Sequence, residues 1–241
     1  FEGILLMLHG KSILAVVPAR SGSKGIPNKN LRKLMGTSLI GWAGFCLSEL
    51  TWLDGKIIST DSKEFADEGK RYGLDVPFLR PESLSSDTSS IYNVVTHALL
   101  ESDKFYGKKF DVVLLTEPTS PLRKSDDLEG AVNKLILSHA DTVVTVSRLN
   151  SKCHPAKVLT IKDNKRLDFY EERGAEIINR QSLETLYWRN GVCYVVNRES
   201  LLKKNWFFTE NTLPFIIERE FANIDEPIDL EWAEVLLRKQ T

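Results

Sequence analysis

Cysteine is scarce in this chain of 241 residues, which contains only Cys46, Cys153 and Cys193. They lie far apart, and no pair has the C-x-x-C spacing of a zinc site or a redox motif. An odd, dispersed set also cannot form a disulfide framework. The four histidines include no H-x-x-x-H pair, so we expect no histidine metal site. These absences predict reduced cysteines in a cytoplasmic protein.

The chain also lacks a long apolar run and a strong net charge. The apolar run at residues 4–8 is too short to cross a bilayer, and no basic segment precedes it. The formal net charge is −1, whereas nucleic-acid-binding proteins are usually markedly basic. We therefore expect neither a membrane nor a nucleic-acid partner. Residues 12–241 are predicted to form a single domain, preceded by a lead-in or cloning remnant at 1–11.

What the sequence does contain is an alternation of apolar strand patterns with amphipathic helix patterns. Strands are predicted at 12–19, 55–61, 112–115 and 141–149, and a short extended segment at 75–81. Helices are predicted at 38–50, 62–73 and 125–140, and within 85–102 after a polar cap cluster. This rhythm predicts an α/β fold with a mostly parallel sheet covered on both faces. After about Asn150 the rhythm changes: two strands flank a turn at Asp163-Asn164. Residues 150–190 are therefore predicted to be a small antiparallel insertion, and later strands and a final helix from Pro227 complete the chain.

A loop after the first predicted strand combines glycine with positive charge. In "VVPARSGSKGIPNKN", residues 16–30, the cations Arg20, Lys24 and Lys29 are interleaved with Gly22 and Gly25. Glycines let the backbone approach a ligand closely, and backbone N–H groups together with cations suit a polyphosphate. The spacing is neither that of a Walker A loop nor that of a dinucleotide fingerprint. An ordinary solvated loop remains the alternative, and phosphate binding is slightly favoured by the loop's place after a buried strand.

The same stretch resembles the signature of the cytidylyltransferases that activate sialic acids and related nonulosonic acids. Further blocks follow in the order of that family, and the resemblance covers roughly residues 12–240. The blocks are "STDS", "LRPESLSSDTSS", "LLTEPTSPLR", "HPAK", "RNGVCYV" and "NIDEPIDL". The resemblance implies a Rossmann-like nucleotidyltransferase sheet with a dimerising insertion, and transfer of CMP from CTP to a 2-keto sugar acid. It also implies a homodimer.

The resemblance further implies which residues hold the nucleotide. Arg20, Lys24 and Lys29 would hold the CTP phosphates and, with Asp225, form the catalytic set. The implied CTP-binding residues are Ala19, Arg20, Ser21, Gly22, Lys24, Lys29, Asn30, Arg80, Thr88 and Ser90. Mg²⁺ would be bound by Asp225 and by Asn223, which stands where the family usually has an aspartate. Asp229, four residues beyond Asp225, is better explained as a carboxylate at a helix start.

The sugar pocket is implied in the same way. The implied sugar-binding residues are Glu117, Arg180, Asn190, Tyr194, Phe207 and Phe208. Glu117 occupies a position where sialic acid enzymes often have Gln, and a carboxylate only accepts hydrogen bonds whereas an amide also donates. Phe207 and Phe208 could equally be core residues.

Several readings stay open at this point. The acid could be sialic, legionaminic or pseudaminic, and Kdo is disfavoured. The chain could instead be a non-catalytic nucleotide-sugar binding protein, a reading supported only by Asn223. A P-loop phosphotransferase is disfavoured because the Walker spacing is missing.

Overall fold

The computed structural model describes residues 8–23, 25–86, 88–176, 183–204 and 207–240. The strands are β1 Ile13–Pro18, β2 Lys33–Leu34, β3 Thr37–Ser38, β4 Gly55–Ser59, β5 Val112–Leu115, β6 Thr142–Arg148, β7 Leu159–Ile161, β8 Leu167–Phe169, β9 Tyr187–Asn197 and β10 Thr212–Ile216. The α-helices are α1 Leu39–Ser48, α2 Lys63–Arg71, α3 Ile91–Tyr106, α4 Ser125–Ser138, α5 Arg198–Lys204 and α6 Pro227–Gln240.

Six strands form the central sheet in the order β10-β6-β9-β5-β1-β4. Strand β1 pairs in parallel with both β4 and β5, and β10 pairs in parallel with β6. Strand β9 lies between β5 and β6 and is antiparallel to both. The predicted α/β fold with a mostly parallel sheet is therefore confirmed.

Alternate residues of β1 show how helices cover both faces of this sheet. Ile13, Ala15 and Val17 pack in one cluster with residues of α1, α2 and α4. Leu14 and Val16 pack in the opposite cluster with residues of α3 and α5. Because successive side chains of a strand point to opposite faces, an uninterrupted apolar run fits a strand that is buried on both sides.

The segment 75–81, predicted to be extended, does not become a strand of the central sheet. Asp75 forms one isolated parallel bridge with Ile57, and no further strand pairing follows within the described segment 75–81. Pro77 and Pro81 carry no N–H group, so the segment cannot continue the ladder beside β4. The chain instead runs extended toward Arg80, whose N–H donates to the carbonyl of Thr60 over 2.7 Å.

The chain between β6 and β9 leaves the central sheet. Strands β7 and β8 pair antiparallel in a separate two-stranded sheet around the predicted turn. Strand β9 begins at Tyr187, inside the range 150–190, and belongs to the central sheet. In the described part of the chain, no helix is both long and apolar enough to cross a bilayer.

Candidate active site

A cavity of about 450 Å³ opens beyond the carboxyl ends of β1 and β5. This is the edge of an open parallel sheet where ligands bind. Most of its polar lining comes from the loop after β1, the segment before α3, the loop after β5 and the segment before α6. The lining residues are Pro18, Arg20, Ser23, Gly25, Lys29, Asn30, Arg80, Leu84, Ser86, Ser89, Ile91, Val94, Glu117, Pro118, Thr119, Asn223 and Asp225.

The loop after β1 is attached to the end of β4. Ala19 N–H donates to the carbonyl of Ser59 over 3.0 Å. Ser21 donates to Asp61 twice, from its backbone N–H over 2.9 Å and from its hydroxyl over 2.8 Å. Further along, the Asn30 amide donates to the carbonyl of Arg20 over 3.4 Å. The positively charged loop is thus held over the sheet edge.

Of the two glycines in the loop after β1, only Gly25 lies close to another part of the backbone. A Cβ on Gly25 would lie 2.8 Å from the carbonyl oxygen of Asp225, so no larger residue fits without a backbone shift. Gly22 has open space around it and needs no positive φ. Gly25 therefore lets the loop contact the segment that carries Asp225, whereas the structure does not require glycine at 22.

Lys29 joins the loop to the segment before α6. Its Nζ donates to the carbonyl of Ile224 over 2.8 Å and to Oδ1 of Asp225 over 3.0 Å. The Lys29 side chain is 16% exposed and that of Asp225 is 66% exposed. Asn223 donates from Nδ2 to the other Asp225 oxygen over 2.9 Å. A cation and a carboxylate are thereby placed side by side at the cavity.

Arg80 is a buried cation on the wall of this cavity. It is 6% exposed, and its Nε and Nη2 have no hydrogen-bond partner. Burial lowers the pKa of the guanidinium, while the carboxylate of Asp61, 3.9 Å from Nη2, acts in the opposite direction. Unpartnered donors on a buried cation are expensive unless a ligand or water accepts from them.

Glu117 brings a second carboxyl group to the cavity. Burial raises the pKa of this carboxyl, and Asp225 adds to the effect while Arg123 opposes it. Arg123 is buried and donates to the backbone carbonyl of Glu117. A Cβ on Gly191 would lie 3.3 Å from Ser120 Oγ, 3.4 Å from Asn223 Oδ1 and 3.6 Å from Glu117 Oε2. Three side-chain oxygens therefore converge beside a residue without a side chain.

The structure brings many of the residues implied by the resemblance together, but not all. Arg20, Lys29, Asn30, Arg80, Glu117, Asn223 and Asp225 all line the cavity, and Ala19 and Ser21 lie in the loop beside it. Thr88 and Ser90 are exposed, and Ser86 and Ser89 line the cavity in their neighbourhood. Lys24 and Arg180 lie outside the described residues.

Asn190, Phe207 and Phe208, which the resemblance implies for the sugar, contact other protein groups. Asn190 is buried; it donates to Ser147 Oγ over 3.0 Å and accepts from Val192 N–H over 3.1 Å. Phe207 is a core residue that packs against Tyr194, with ring centroids 5.9 Å apart. Phe208 is partly exposed and stacks with the guanidinium of Arg189 at 5.6 Å. Asp229 accepts from the N–H groups of Asp225 and Glu226, as a carboxylate at a helix start does.

Two residues of the site were not singled out from the sequence. Asp61 follows the end of β4, and a polar residue at the carboxyl end of a parallel strand is the signal that points to it. Arg123 gives no such signal, because its burial behind the Glu117 loop depends on tertiary packing.

The geometry can now be compared with known proteins. A family model described as Cytidylyltransferase matches residues 14–238. The chain belongs to the cytidylyltransferase family. It is therefore a nucleotidyltransferase, as the resemblance implied.

Relatives of this cytidylyltransferase include enzymes for several acids. CMP-N,N'-diacetyllegionaminic acid synthase of Legionella pneumophila is 33% identical over 93% of this chain and 96% of the relative. N-acylneuraminate cytidylyltransferase of Escherichia coli is 31% identical over 95% of this chain, which spans 52% of that protein. Pseudaminic acid cytidylyltransferase of Campylobacter jejuni is 27% identical over 93% of this chain and 96% of that protein.

A solved structure confirms the nucleotidyltransferase fold. CMP:2-keto-3-deoxy-manno-octonic acid synthetase, complexed with CTP, matches with a TM-score of 0.72 over 95% of this chain and 100% of that chain. At 12% identity the likeness concerns the fold alone.

Proposed function

We propose that this cytidylyltransferase activates a nonulosonic acid of the sialic type with CTP and releases the CMP-sugar and pyrophosphate. The single observation that carries the proposal is the cavity at the carboxyl ends of β1 and β5, where Arg20, Lys29 and Arg80 meet Glu117 and Asp225. Cations suit the triphosphate, and carboxyl groups suit a polyhydroxylated acceptor. The names of the relatives support the same class of acid.

In the proposed reaction, the anomeric hydroxyl of the acid attacks the α-phosphorus in line. A new oxygen–phosphorus bond forms while the bond to the pyrophosphate oxygen breaks, and the proton of the attacking hydroxyl is released to solvent. Arg20 and Lys29 offset the charge that develops on the leaving group, so the chain contributes mainly position and electrostatic stabilisation. Nε and Nη2 of Arg80, which have no hydrogen-bond partner in the protein, would donate to the cytosine base.

The residues present fit a single Mg²⁺ ion. Asp225 offers an exposed carboxylate at the cavity and Asn223 an amide oxygen. Among the described residues, no group of three or more His, Cys, Asp or Glu side chains forms a metal cluster. This composition suits Mg²⁺, which commonly binds one or two carboxylates together with substrate phosphates and water. When bound, the ion would neutralise phosphate charge; Asp225 would anchor it after releasing Lys29.

Glu117 is proposed to hold the acceptor acid. Its carboxyl group lines the cavity, and its Oε2 lies near Ser120 Oγ and Asn223 Oδ1 beside Gly191. When ionised, it accepts hydrogen bonds from a sugar hydroxyl or an N–H group and donates none. Gly191, whose φ is +71°, places no side chain against these three oxygens.

The enzyme is further proposed to be a cytoplasmic homodimer. Cys46, Cys153 and Cys193 are all free thiols, as expected in a reducing compartment. Strands β7 and β8 carry exposed apolar side chains, among them Ile161, Leu167 and Phe169. Apolar surface of this kind is typical of a protein–protein interface, and we assign it to a second copy of this chain.

An assay with Mg²⁺, CTP and a panel of nonulosonic acids tests this function. The panel contains N-acetylneuraminate, N,N'-diacetyllegionaminate and pseudaminate, and Kdo, an eight-carbon acid, is added for comparison. We expect pyrophosphate release with one nonulosonic acid, and preference for CTP over UTP, ATP and GTP. If pyrophosphate is released with Kdo alone, the proposed sialic-type substrate is wrong and the substrate is Kdo. CTP binding without pyrophosphate release from any acid would favour a nucleotide-sugar binding protein instead.

A further inference from the structure

Asp61 contacts both halves of the candidate nucleotide site. Its Oδ1 accepts from the backbone N–H of Ser21 over 2.9 Å, and its Oδ2 accepts from the Ser21 hydroxyl over 2.8 Å. Its Oδ1 also lies 3.9 Å from Nη2 of Arg80. One carboxylate thus faces the start of the positively charged loop and the buried guanidinium together.

This carboxylate is not needed to start the helix that follows it. Ser62 is the N-cap of α2, and its hydroxyl accepts from Phe65 N–H over 3.4 Å. Ser62 N–H in turn donates to the hydroxyl of Thr60 over 3.1 Å. The local structure around the end of β4 is therefore satisfied by Thr60 and Ser62, which leaves the side chain of Asp61 to the loop.

The backbone around Asp61 holds the same two segments. Ser59, the last residue of β4, accepts from Ala19 N–H over 3.0 Å. Thr60 accepts from Arg80 N–H over 2.7 Å. Residues 59–61 are consequently the point where the loop after β1 and the segment that ends at Arg80 are joined.

The charge of Asp61 matters because Arg80 is buried. A buried cation without an opposite charge is unfavourable and tends to move toward other acceptors. The triphosphate would be the nearest strong acceptor when CTP is bound. A carboxylate 3.9 Å from Nη2 gives this buried guanidinium an opposite charge on the side of the loop after β1.

We infer that Asp61 is a positioning residue that sets the distance between the phosphate-binding loop and Arg80, and so aligns the triphosphate and the base of CTP. This inference rests on the proposed function. Asp61 does not touch the reacting atoms; it acts through Ser21 and Arg80. Loss of the Asp61 carboxylate should therefore weaken CTP binding more than it weakens binding of the acid or lowers the stability of the fold.

The chain contains a matched control for this experiment. Asp111 accepts from the backbone N–H of Ser12 over 2.9 Å and from the Ser12 hydroxyl over 3.0 Å. This is the same aspartate–serine arrangement at the opposite end of β1, away from the cavity. Asp111→Ala removes equivalent hydrogen bonds without changing a residue of the nucleotide site.

The experiment measures the Kd for CTP by calorimetry, the KM for CTP and for the acid, kcat and Tm. For Asp61→Ala we expect Kd and KM for CTP to rise about 10- to 100-fold, as for loss of hydrogen bonds to a charged group. The KM for the acid should stay within about twofold. Asp111→Ala should lower Tm by about as much as Asp61→Ala does. It should leave the Kd for CTP within about twofold of the wild-type value.

Asp61→Asn covers the case in which Asp61→Ala does not fold. The amide keeps an acceptor for Ser21 N–H but loses the charge, so we expect an intermediate rise in the Kd for CTP. An unchanged Kd in the folded Asp61 variants, or an equal loss of affinity in Asp111→Ala, would overturn the inference. Wild-type protein that binds no CTP would instead contradict the proposed function, so the two failures are distinguishable.

Discussion

At the scale of single residues, Asp225 is an exposed carboxylate that contacts the cation Lys29 of the candidate site. Lys29 and Asn223 each donate to one of its oxygens. These contacts aim the carboxylate without removing it from solvent, because its side chain is 66% exposed. Asn223 brings an amide oxygen without charge, so the anionic character of this segment at the cavity rests on Asp225.

We predict that Asp225→Ala lowers turnover by about 100-fold or more, because the metal that would offset the developing phosphate charge loses its anionic anchor. Pyrophosphate release measured across a Mg²⁺ titration checks this, and calorimetry with CTP shows whether the nucleotide still binds. Asn223→Asp is the companion variant, and it should change the Mg²⁺ dependence more than the preference among acids. Near-normal turnover of Asp225→Ala would mean that the metal binds elsewhere.

At the scale of an element, the loop after β1 depends on close contact with the segment before α6. Gly25 lies against the carbonyl of Asp225, and Lys29 donates to the carbonyl of Ile224. The loop therefore carries its cations to the cavity only if its backbone stays against a segment about 200 residues further along the chain.

We predict that Gly25→Ala lowers kcat/KM for CTP by about 10- to 100-fold, because the added methyl group would lie 2.8 Å from the Asp225 carbonyl oxygen and must displace the loop. Gly22→Ala is the comparison, since its methyl group enters open space. Steady-state kinetics of both variants check the prediction. A larger loss for Gly22→Ala than for Gly25→Ala would contradict the described loop packing.

At the scale of the whole molecule, the hairpin of β7 and β8 exposes apolar side chains outside the central sheet. Ile161 is 75% exposed and Leu167 is 66% exposed, and their strands pair with each other and not with the central sheet. Exposed apolar surface on a hairpin that lies outside the central sheet suits contact with a second chain.

We predict that the protein is a dimer and that the double variant Ile161→Asp with Leu167→Asp shifts it to a monomer, because charges at an apolar interface are left desolvated. Light scattering coupled to size-exclusion chromatography measures the mass. Leu137→Asp is the control, since Leu137 is 66% exposed on α4 and lies outside the hairpin. A monomeric wild type, or an equal effect of Leu137→Asp, would contradict the assignment of the hairpin.

Local sequence patterns predicted the strands and helices, but they did not predict which residues contact each other in the folded chain. The apolar run at β1 and the polar N-terminal signals before α1 and α2 are local, so these elements could be located from the sequence. The composition of the segment 75–81 predicts extended backbone, and its prolines keep that backbone from pairing as a strand. The exposure of Thr88 and the burial of Asn190 depend on distant partners that no local pattern reveals.

By itself, the sequence determined the α/β rhythm, the charged loop and the family, because apolar periodicity and motif order are encoded locally along the chain. Only the tertiary structure decided that Asp61 reaches Ser21, that Lys29 pairs with Asp225, and that Gly25 must be small. The physical reason is that these contacts join residues far apart in sequence. They exist only where parallel strands end at one edge of the sheet.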